Sequence, residues 1–337
     1  MKADKISDST QKTLTIIVPA YNMEWCLEQN LQTYVVPELG NRLSVIVFDN
    51  SSEDTTFNIA KSFEDRYPEI FTCIKKENNG YGSSVNMGIS MAKSKYVRVV
   101  DADDHVDTEA LKSFIEHLED CDADIVQTPY TTVDIKTGKK EIVSLNCEFG
   151  KTLPIEAAKS QTPTPAHHST TLKTDFLQKN PFVLLENTFY VDEELIIYPF
   201  FFAKTICAFD DNVYCYSINN DNQSVSLENK IKYLSHRERV VKRLMEFYTS
   251  QKLDPENDAY CKSRIALSVG NHFTTLYMLH PDRKLGRKLA KEFAAFLKIE
   301  YAEFYRMVNR KRKILSLLNF FKVSVSLYER LKRIRKN

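Results

Sequence analysis

The chain has 337 residues, 46 Lys and Arg against 45 Asp and Glu, and 43% apolar residues, enough for a sizeable core in one large α/β domain with an appendage, or in two domains. Its seven cysteines are scattered with no Cys-x-x-Cys pair, which argues against a disulfide framework or a zinc site and fits a reduced, cytoplasmic setting. The start of the chain, Met1 to Lys12, is too polar for a secretory signal, and no apolar run reaches the length needed to cross a bilayer.

Taken in order, residues 13–18 (Thr-Leu-Thr-Ile-Ile-Val) read as a buried strand that opens at Pro19-Ala20-Tyr21-Asn22 into a loop at the sheet's carboxyl edge. Residues 24–34 follow with helical spacing at Leu27, Leu31 and Tyr34. A second strand over 43–48 ends at Asp49-Asn50, and Ser51-Ser52-Glu53-Asp54-Thr55 caps a helix running to about Tyr67. A third strand over 71–74 leads through Asn78-Asn79-Gly80-Tyr81-Gly82 into a helix over 83–92. The fourth strand, starting at Tyr96, stops abruptly at Asp101-Ala102-Asp103-Asp104.

Four strands alternating with helices predict a doubly wound, mostly parallel, Rossmann-like α/β sheet. Such sheets bind ligands at the carboxyl ends of their strands. Three carboxylates in four positions repel one another, and a hard divalent cation such as Mg²⁺ or Mn²⁺ relieves that repulsion. The plainer reading is a polar loop capping the next helix, with Asp107 or Thr108 as N-cap. No Gly-x-Gly-x-x-Gly follows the first strand and no Gly-x-x-x-x-Gly-Lys-Ser/Thr occurs, so dinucleotide and P-loop sites are excluded. Phosphate here would have to be held by a metal.

Beyond Asp104 the pattern predicts a helix over 109–118, a fifth strand over 124–129, a hairpin over 131–143 and a long surface segment over 150–166. His167-His168-Ser169 then reads either as a hydrogen-bonded structural turn or as a metal or acceptor contact. Asp192-Glu193-Glu194 precedes the apolar stretch 195–202 and is either a helix cap or a general base at the edge of a dry pocket. Residues 207–217 look β-like, and a turn over 219–222 leads to Gln223-Ser224-Val225-Ser226.

From Glu228 only helical periodicity remains, broken at Pro255 and at His280-Pro281. The chain thus partitions into a polar extension (1–12), an α/β domain (13–227) and a helical region (228–337). The last stretch, from Arg306 to Lys336, carries eleven Lys or Arg against the single Glu329. Its apolar stripe at Ile314, Leu317, Leu318, Phe321, Val325, Tyr328 and Leu331 would line one face of a helix, with the basic residues largely elsewhere. That helix either packs on its own domain or lies on an anionic membrane surface, which would make the protein peripheral on the cytosolic face. With the charge confined to the tail and no recognition motif beside it, no nucleic-acid partner is expected.

The order and spacing of these motifs over about residues 13–226 resemble the family 2 glycosyltransferases, which have the GT-A fold and invert the anomeric centre. The resemblance implies a nucleotide-sugar donor and a glycan or lipid-linked acceptor. It places Pro19, Ala20, Tyr21 and Asn22 around the nucleotide base, Asp49 on the pyrimidine ring, and Asn79, Gly80 and Asn86 beside the nucleotide-sugar. It makes Asp101-Ala102-Asp103 similar to the Asp-x-Asp motif, contacting ribose through its first members and holding a divalent metal, Mn²⁺ or Mg²⁺, on the diphosphate through Asp101 and Asp103. Asp192 falls at the position of the catalytic base, with Glu193 as the other candidate.

The chain departs from the family pattern at Val191, where an acidic residue commonly precedes the base, at Asn50, where a second aspartate is frequent, and at Ser217, where some relatives carry Arg. It lacks the Gln-x-x-Arg-Trp of processive synthases, so a single sugar would be transferred. Val191 keeps open a catalytically silent relative that binds a nucleotide-sugar or glycan while docked to a membrane or partner. A nucleotidyltransferase would need a glycine-rich, basic loop after the first strand, and Pro19-Ala20-Tyr21-Asn22 offers none.

Overall fold

Leu14–Ala20 (β1) is buried at every position, as expected for a β-branched run at the centre of a sheet covered on both faces. The strand runs through Pro19, past the end expected at Val18. Proline is tolerated because pairing with the neighbour on that side stops at Ile17, so no ladder hydrogen bond is lost. The computed structural model describes residues 11–157, 166–219 and 227–328, and the chain divides into two units, residues 1–220 and 221–337.

In the first unit β1 is followed by Leu27–Gln32 (α1), Leu43–Asp49 (β2), Thr56–Arg66 (α2), Phe71–Lys75 (β3), Gly80–Met91 (α3) and Tyr96–Val99 (β4). The strands lie in the order β3-β2-β1-β4, all parallel. This is the doubly wound half the alternation predicted. Next come His105–Val106 (β5), Thr108–Asp120 (α4), Ile125–Gln127 (β6), Tyr130–Asp134 (β7), Lys140–Val143 (β8) and Leu153–Pro154 (β9). Asp107 caps α4 by accepting from the Ala110 N–H at 2.9 Å. The cap and the acid cluster are therefore separate features.

Three expectations are corrected here. Thr170–Lys173 (β10), part of no expected strand, wedges between β4 and β6 and runs antiparallel to both. Residues 207–217 form two strands in different sheets: Thr205–Ala208 (β11) joins β6 and β9, whereas Tyr214–Ile218 (β12) pairs with β5 and β7 in a second sheet of order β5-β12-β7-β8. The helix expected over 195–202 starts three residues earlier, at Asp192, and breaks at Pro199 into Asp192–Ile197 (α6) and Pro199–Phe202 (α7), after Thr174–Lys179 (α5). The 131–143 hairpin is present, as β7 and β8.

The second unit is helical, as expected: Leu227–Lys232 (α8), Leu234–Ser250 (α9), Pro255–Thr274 (α10), Arg283–Glu300 (α11) and Ala302–Phe320 (α12), with a π-turn over Thr275–Leu279. Its core gathers Val240, Leu244, Ile265, Val269, Phe273, Phe293 and Leu297. The terminal helix differs from expectation in two ways. It stops at Phe320, where Lys322 takes φ 54° and the Val323 N–H closes on the Leu318 carbonyl. Its buried face is Phe304, Val308, Leu315 and Asn319, and not the stripe through Ile314, Leu317 and Phe321, which faces solvent with the basic residues. Among the described residues no helix is long and apolar enough to cross a membrane. Residues 1–10, the 158–165 part of the expected surface segment, Gln223–Ser226 and the tail from Glu329, including Leu331, lie outside the described residues.

Candidate active site

The carboxyl ends of β1, β2 and β4 lie side by side, and the loops leaving them interlock. Asn22, at φ 53°, accepts from the Glu53 N–H at 2.9 Å through its side chain, while its own N–H donates to Ser52 Oγ at 2.9 Å. Asn22 therefore shapes the loop, and Tyr21 beside it stands 42% exposed, an aromatic face open to a planar base. Pro19 and Ala20 contribute buried backbone at the strand end. Asp49 is fully buried and accepts from the Ser52 N–H at 3.2 Å.

Asn50 has a structural reason to differ from aspartate. Its amide donates to the Ala20 carbonyl at 3.3 Å and accepts from Lys76 Nζ and Ser84 Oγ. A carboxylate could not make the first bond.

The acid cluster sits at the end of β4, as the sequence implies. Asn30 fastens its backbone by donating to the Asp101 and Asp104 carbonyls at 3.1 and 2.8 Å, and Cys26 Sγ donates to the carbonyl of buried Ala102. Asp104 is occupied: it accepts from the Tyr214 hydroxyl at 2.6 Å and the Ser217 N–H at 2.7 Å. Ser217 thus serves through its backbone, tying the second sheet to the cluster. Burial, then the charges of Asp101 and Asp103, push the Asp104 carboxyl well up.

Asp101 meets His167, whose Nε2 lies 3.1 Å from Asp101 Oδ2. Burial opposes ionisation of both groups, but the attraction between them prevails. His167 is held at about 9, and the Asp101 carboxyl falls below its ordinary value. Burial, then the neighbouring Asp101 charge, raise Asp103 to about 6. His168 stacks on Tyr216, and burial followed by the charge of His167 lowers its pKa well below the ordinary value. Of the two histidines, His167 pairs directly with Asp101, while His168 lies among the rings of Tyr130, Tyr214 and Tyr216.

Buried Arg98, on β4, explains how the His167 turn is fixed. It donates to Thr171 Oγ1, Thr128 Oγ1 and the His168 carbonyl. Arg98, Tyr81 and Tyr214 escaped sequence reasoning, and only the Tyr-x-Tyr of β12 offered a signal.

Asp101 Oδ1 and the Tyr81 hydroxyl are buried and interact with each other, and among the described residues neither makes a well-formed hydrogen bond. A buried, incompletely satisfied carboxylate oxygen in a set of three acids, whose ligand atoms lie within 4.8 Å of one another, fits a hard divalent cation. Asp101 also groups with His167 and His168 within that distance, and an imidazole beside carboxylates suits Mn²⁺ better than Mg²⁺.

Asp192 opens α6, half-buried, close enough for its charge to act on Tyr81, His167 and Tyr216. It belongs to the same electrostatic site as Asp101. Val191 is 1% exposed, and an acid buried there without a partner would be costly. Glu194 is fully buried and accepts from the Leu185 N–H at 2.8 Å and the Tyr198 hydroxyl at 3.0 Å, a structural role. Glu193 shares the half-exposed first turn with Asp192.

Asn79, Gly80 and Asn86 act through the 184–188 loop that precedes α6. The Asn79 carbonyl accepts from the Asn187 N–H at 2.8 Å, and a Cβ on Gly80, at φ 80°, would meet Asn187 N at 3.1 Å. Asn86 spans Leu184, its Nδ2 donating to the carbonyl and its Oδ1 accepting from the N–H. Its amide is therefore engaged with this loop, which leads to Asp192.

The chain resembles known proteins over this same region. The family model described as Glycosyl transferase family 2 matches residues 15–180. The minor teichoic acid biosynthesis protein GgaB of Bacillus subtilis is 28% identical over 171 residues, 49% of this chain and 18% of GgaB. The poly(ribitol-phosphate) beta-N-acetylglucosaminyltransferase TarS of Staphylococcus aureus is 22% identical over 229 residues, 63% of this chain and 36% of TarS. These matches span well under two thirds of either relative.

In three dimensions the crystal structure of S. aureus TarS 1-349 in complex with UDP-GlcNAc superposes with a TM-score of 0.63 at 16% identity, covering 93% of this chain and 92% of that one. The mannosyltransferase PcManGT from Pyrobaculum calidifontis, in complex with GDP-Man and Mn²⁺, gives 0.50 at 14% identity, covering 93% and 88%. The fold is that of the GT-A enzymes. Residues 15–180 form a glycosyl transferase family 2 domain.

Proposed function

We propose that the chain transfers a single sugar from a UDP-sugar to a hydroxyl of a glycan or lipid-linked acceptor in cell-envelope polymer assembly, with inversion at the anomeric carbon. The observation that carries the reading is the convergence of Asp101 and Asp103 with Asp192 around His167 and Tyr81. The donor class is supported by the similarity to TarS, solved with UDP-GlcNAc, and the acceptor class by two relatives named for minor teichoic acid biosynthesis and one named for transfer to poly(ribitol-phosphate).

Asp101 and Asp103 would hold a divalent cation, which supplies Lewis-acid compensation for charge on the departing diphosphate. Tyr21 stacks on the base and Asp49 faces the uracil edge. His167 keeps Asp101 ionised and oriented. Asp192 takes the proton of the acceptor hydroxyl as that oxygen attacks, leaving the sugar–oxygen bond to the diphosphate to break on the opposite face. A catalytically silent relative is less well supported, since buried Val191 sits beside a retained, half-buried Asp192.

A panel of UDP-sugars tested for thermal shift with Mn²⁺ and with EDTA, on the wild type and Asp103→Ala, checks donor and cation together. One UDP-sugar should stabilise the wild type only with metal; no shift with any donor overturns the proposal. Proton NMR of the first product then reads the anomeric configuration.

A further inference from the structure

Helix α12 packs its Phe304, Val308 and Leu315 side inward and, among the described residues, leaves a second apolar surface uncovered. Leu317 is 59% exposed, Phe320 69% and Phe321 70%, with Ile314 beside them. At 100° per residue these four fall on one side of the helix, opposite the buried face. The same side carries the exposed cations Arg306, Arg310 and Lys313 in its earlier turns, and Lys322 follows its end. From Arg306 to Tyr328 there is no acidic residue at all. Arg283, donating to the Val323 carbonyl, and Arg287, donating to Asn319 Oδ1, add positive charge around the helix end.

We propose that this side of α12 is a docking surface for anionic lipid at a bilayer interface. Large aliphatic and aromatic groups next to a cationic collar suit insertion into the acyl boundary while the cations stay among the headgroups. The surface discriminates among occupants. A second copy would bring Arg306, Arg310, Lys313 and Lys322 against their own like. A nucleic acid would satisfy the cations but leave Ile314, Leu317 and Phe321 without apolar cover. A bilayer with negative headgroups satisfies both. The inference is independent of the transfer reaction, since it rests on no residue of the sugar-nucleotide site.

The test is co-sedimentation of the full chain with phosphatidylcholine vesicles, with and without phosphatidylglycerol, at low and high salt. Binding should require the anionic lipid. It should fall at least about ten-fold in Leu317→Glu/Phe321→Glu and again in Arg310→Glu/Lys313→Glu. All four positions are exposed, so a circular-dichroism melt should match the wild type.

Phe320→Trp in a Trp25→Phe background, where Trp25 is the native chain's only tryptophan, supplies a second readout: its emission should shift to the blue with anionic vesicles. Wild-type protein left in the supernatant with every vesicle, or binding indifferent to the apolar pair, overturns the proposal. So does a light-scattering result in which the wild type self-associates, the Glu pair is monomeric and neither binds vesicles.

Discussion

Asn86 holds Leu184 by both ends of its amide, donating to the carbonyl at 3.0 Å and accepting from the N–H at 2.9 Å. A side chain on α3, the helix after the Asn-Gly motif, thereby fixes a loop 98 positions away in sequence, and that loop delivers Asp192. Gly82 completes the joint, because a Cβ there would come within 2.3 Å of the Leu185 carbonyl oxygen. Glu194 closes it from the other side through the Leu185 N–H. Asp192, the proposed base, therefore inherits its position from α3.

Asn86→Ala should leave the Leu184 N–H and carbonyl without their partner, at a cost of about 2 kcal/mol. Gly82→Ala should push the loop by its backbone, with no relief from a flexible side chain. Both variants should lower kcat more than they raise KM for the donor, since the nucleotide loops after β1 and β2 are untouched. Steady-state kinetics and a thermal melt measure this; a pure KM effect would show that the joint serves the donor directly.

The division of labour between Asp192 and Glu193 is open to the same separation of binding from chemistry. Asp192→Asn should abolish transfer, by about a hundred-fold or more for loss of a general base, while retaining the metal-dependent thermal shift with the donor. Glu193→Gln should keep most of the rate. The reverse pattern would move the base by one residue along the first turn of α6.

Much of this site could be read from the chain because strand ends announce themselves. A β-branched run that stops at Asp101-Ala102-Asp103-Asp104 reads as a ligand-binding strand end or as the cap of the next helix, and four such runs separated by helical spacing decide for the parallel sheet. What escaped was set by partners distant in sequence. Thr170-Thr171-Leu172-Lys173 has only four residues and no alternation, and becomes a strand because β4 and β6 offer open edges to it. Residues 205–218 divide at Asp210-Asp211-Asn212 because their two halves pair with different sheets. The basic and apolar residues of α12 share one side because a narrower stripe, Phe304 to Leu315, suffices to pack the helix.

The helical unit carries its own pH dependence. Glu238 is held at about 2, chiefly by facing buried His272 at 3.7 Å and also by Lys242 at 2.6 Å. This folded value lies below that of an unfolded glutamate, about 4.3. The stabilisation is therefore present above about pH 4.3 and is lost as pH falls through about 2. Hydrogen exchange at the α9 amides of the full chain should show loosening across that window, and Glu238→Gln should be less stable at neutral pH with a flatter acid limb. An unchanged acid limb would mean the pair contributes nothing.

Asp103 runs the opposite way. Burial and the charge of Asp101 hold it at about 6, above the value near 4 of an unfolded aspartate. The fold thus disfavours its charged form, and the metal-free protein loses stability as pH rises from about 4 to about 6. A cation needs that carboxylate ionised, so below about pH 6 it must displace a proton, and its affinity should fall up to about ten-fold per further pH unit. Mn²⁺ should therefore stabilise the protein more at about pH 7 than at about pH 5, with proton release on binding seen by calorimetry in two buffers of different ionisation heat. Asp103→Asn should bind Mn²⁺ weakly and without that slope. If the slope survives in the variant, the proton belongs to another group, and His167, paired with Asp101, would then be the one to replace.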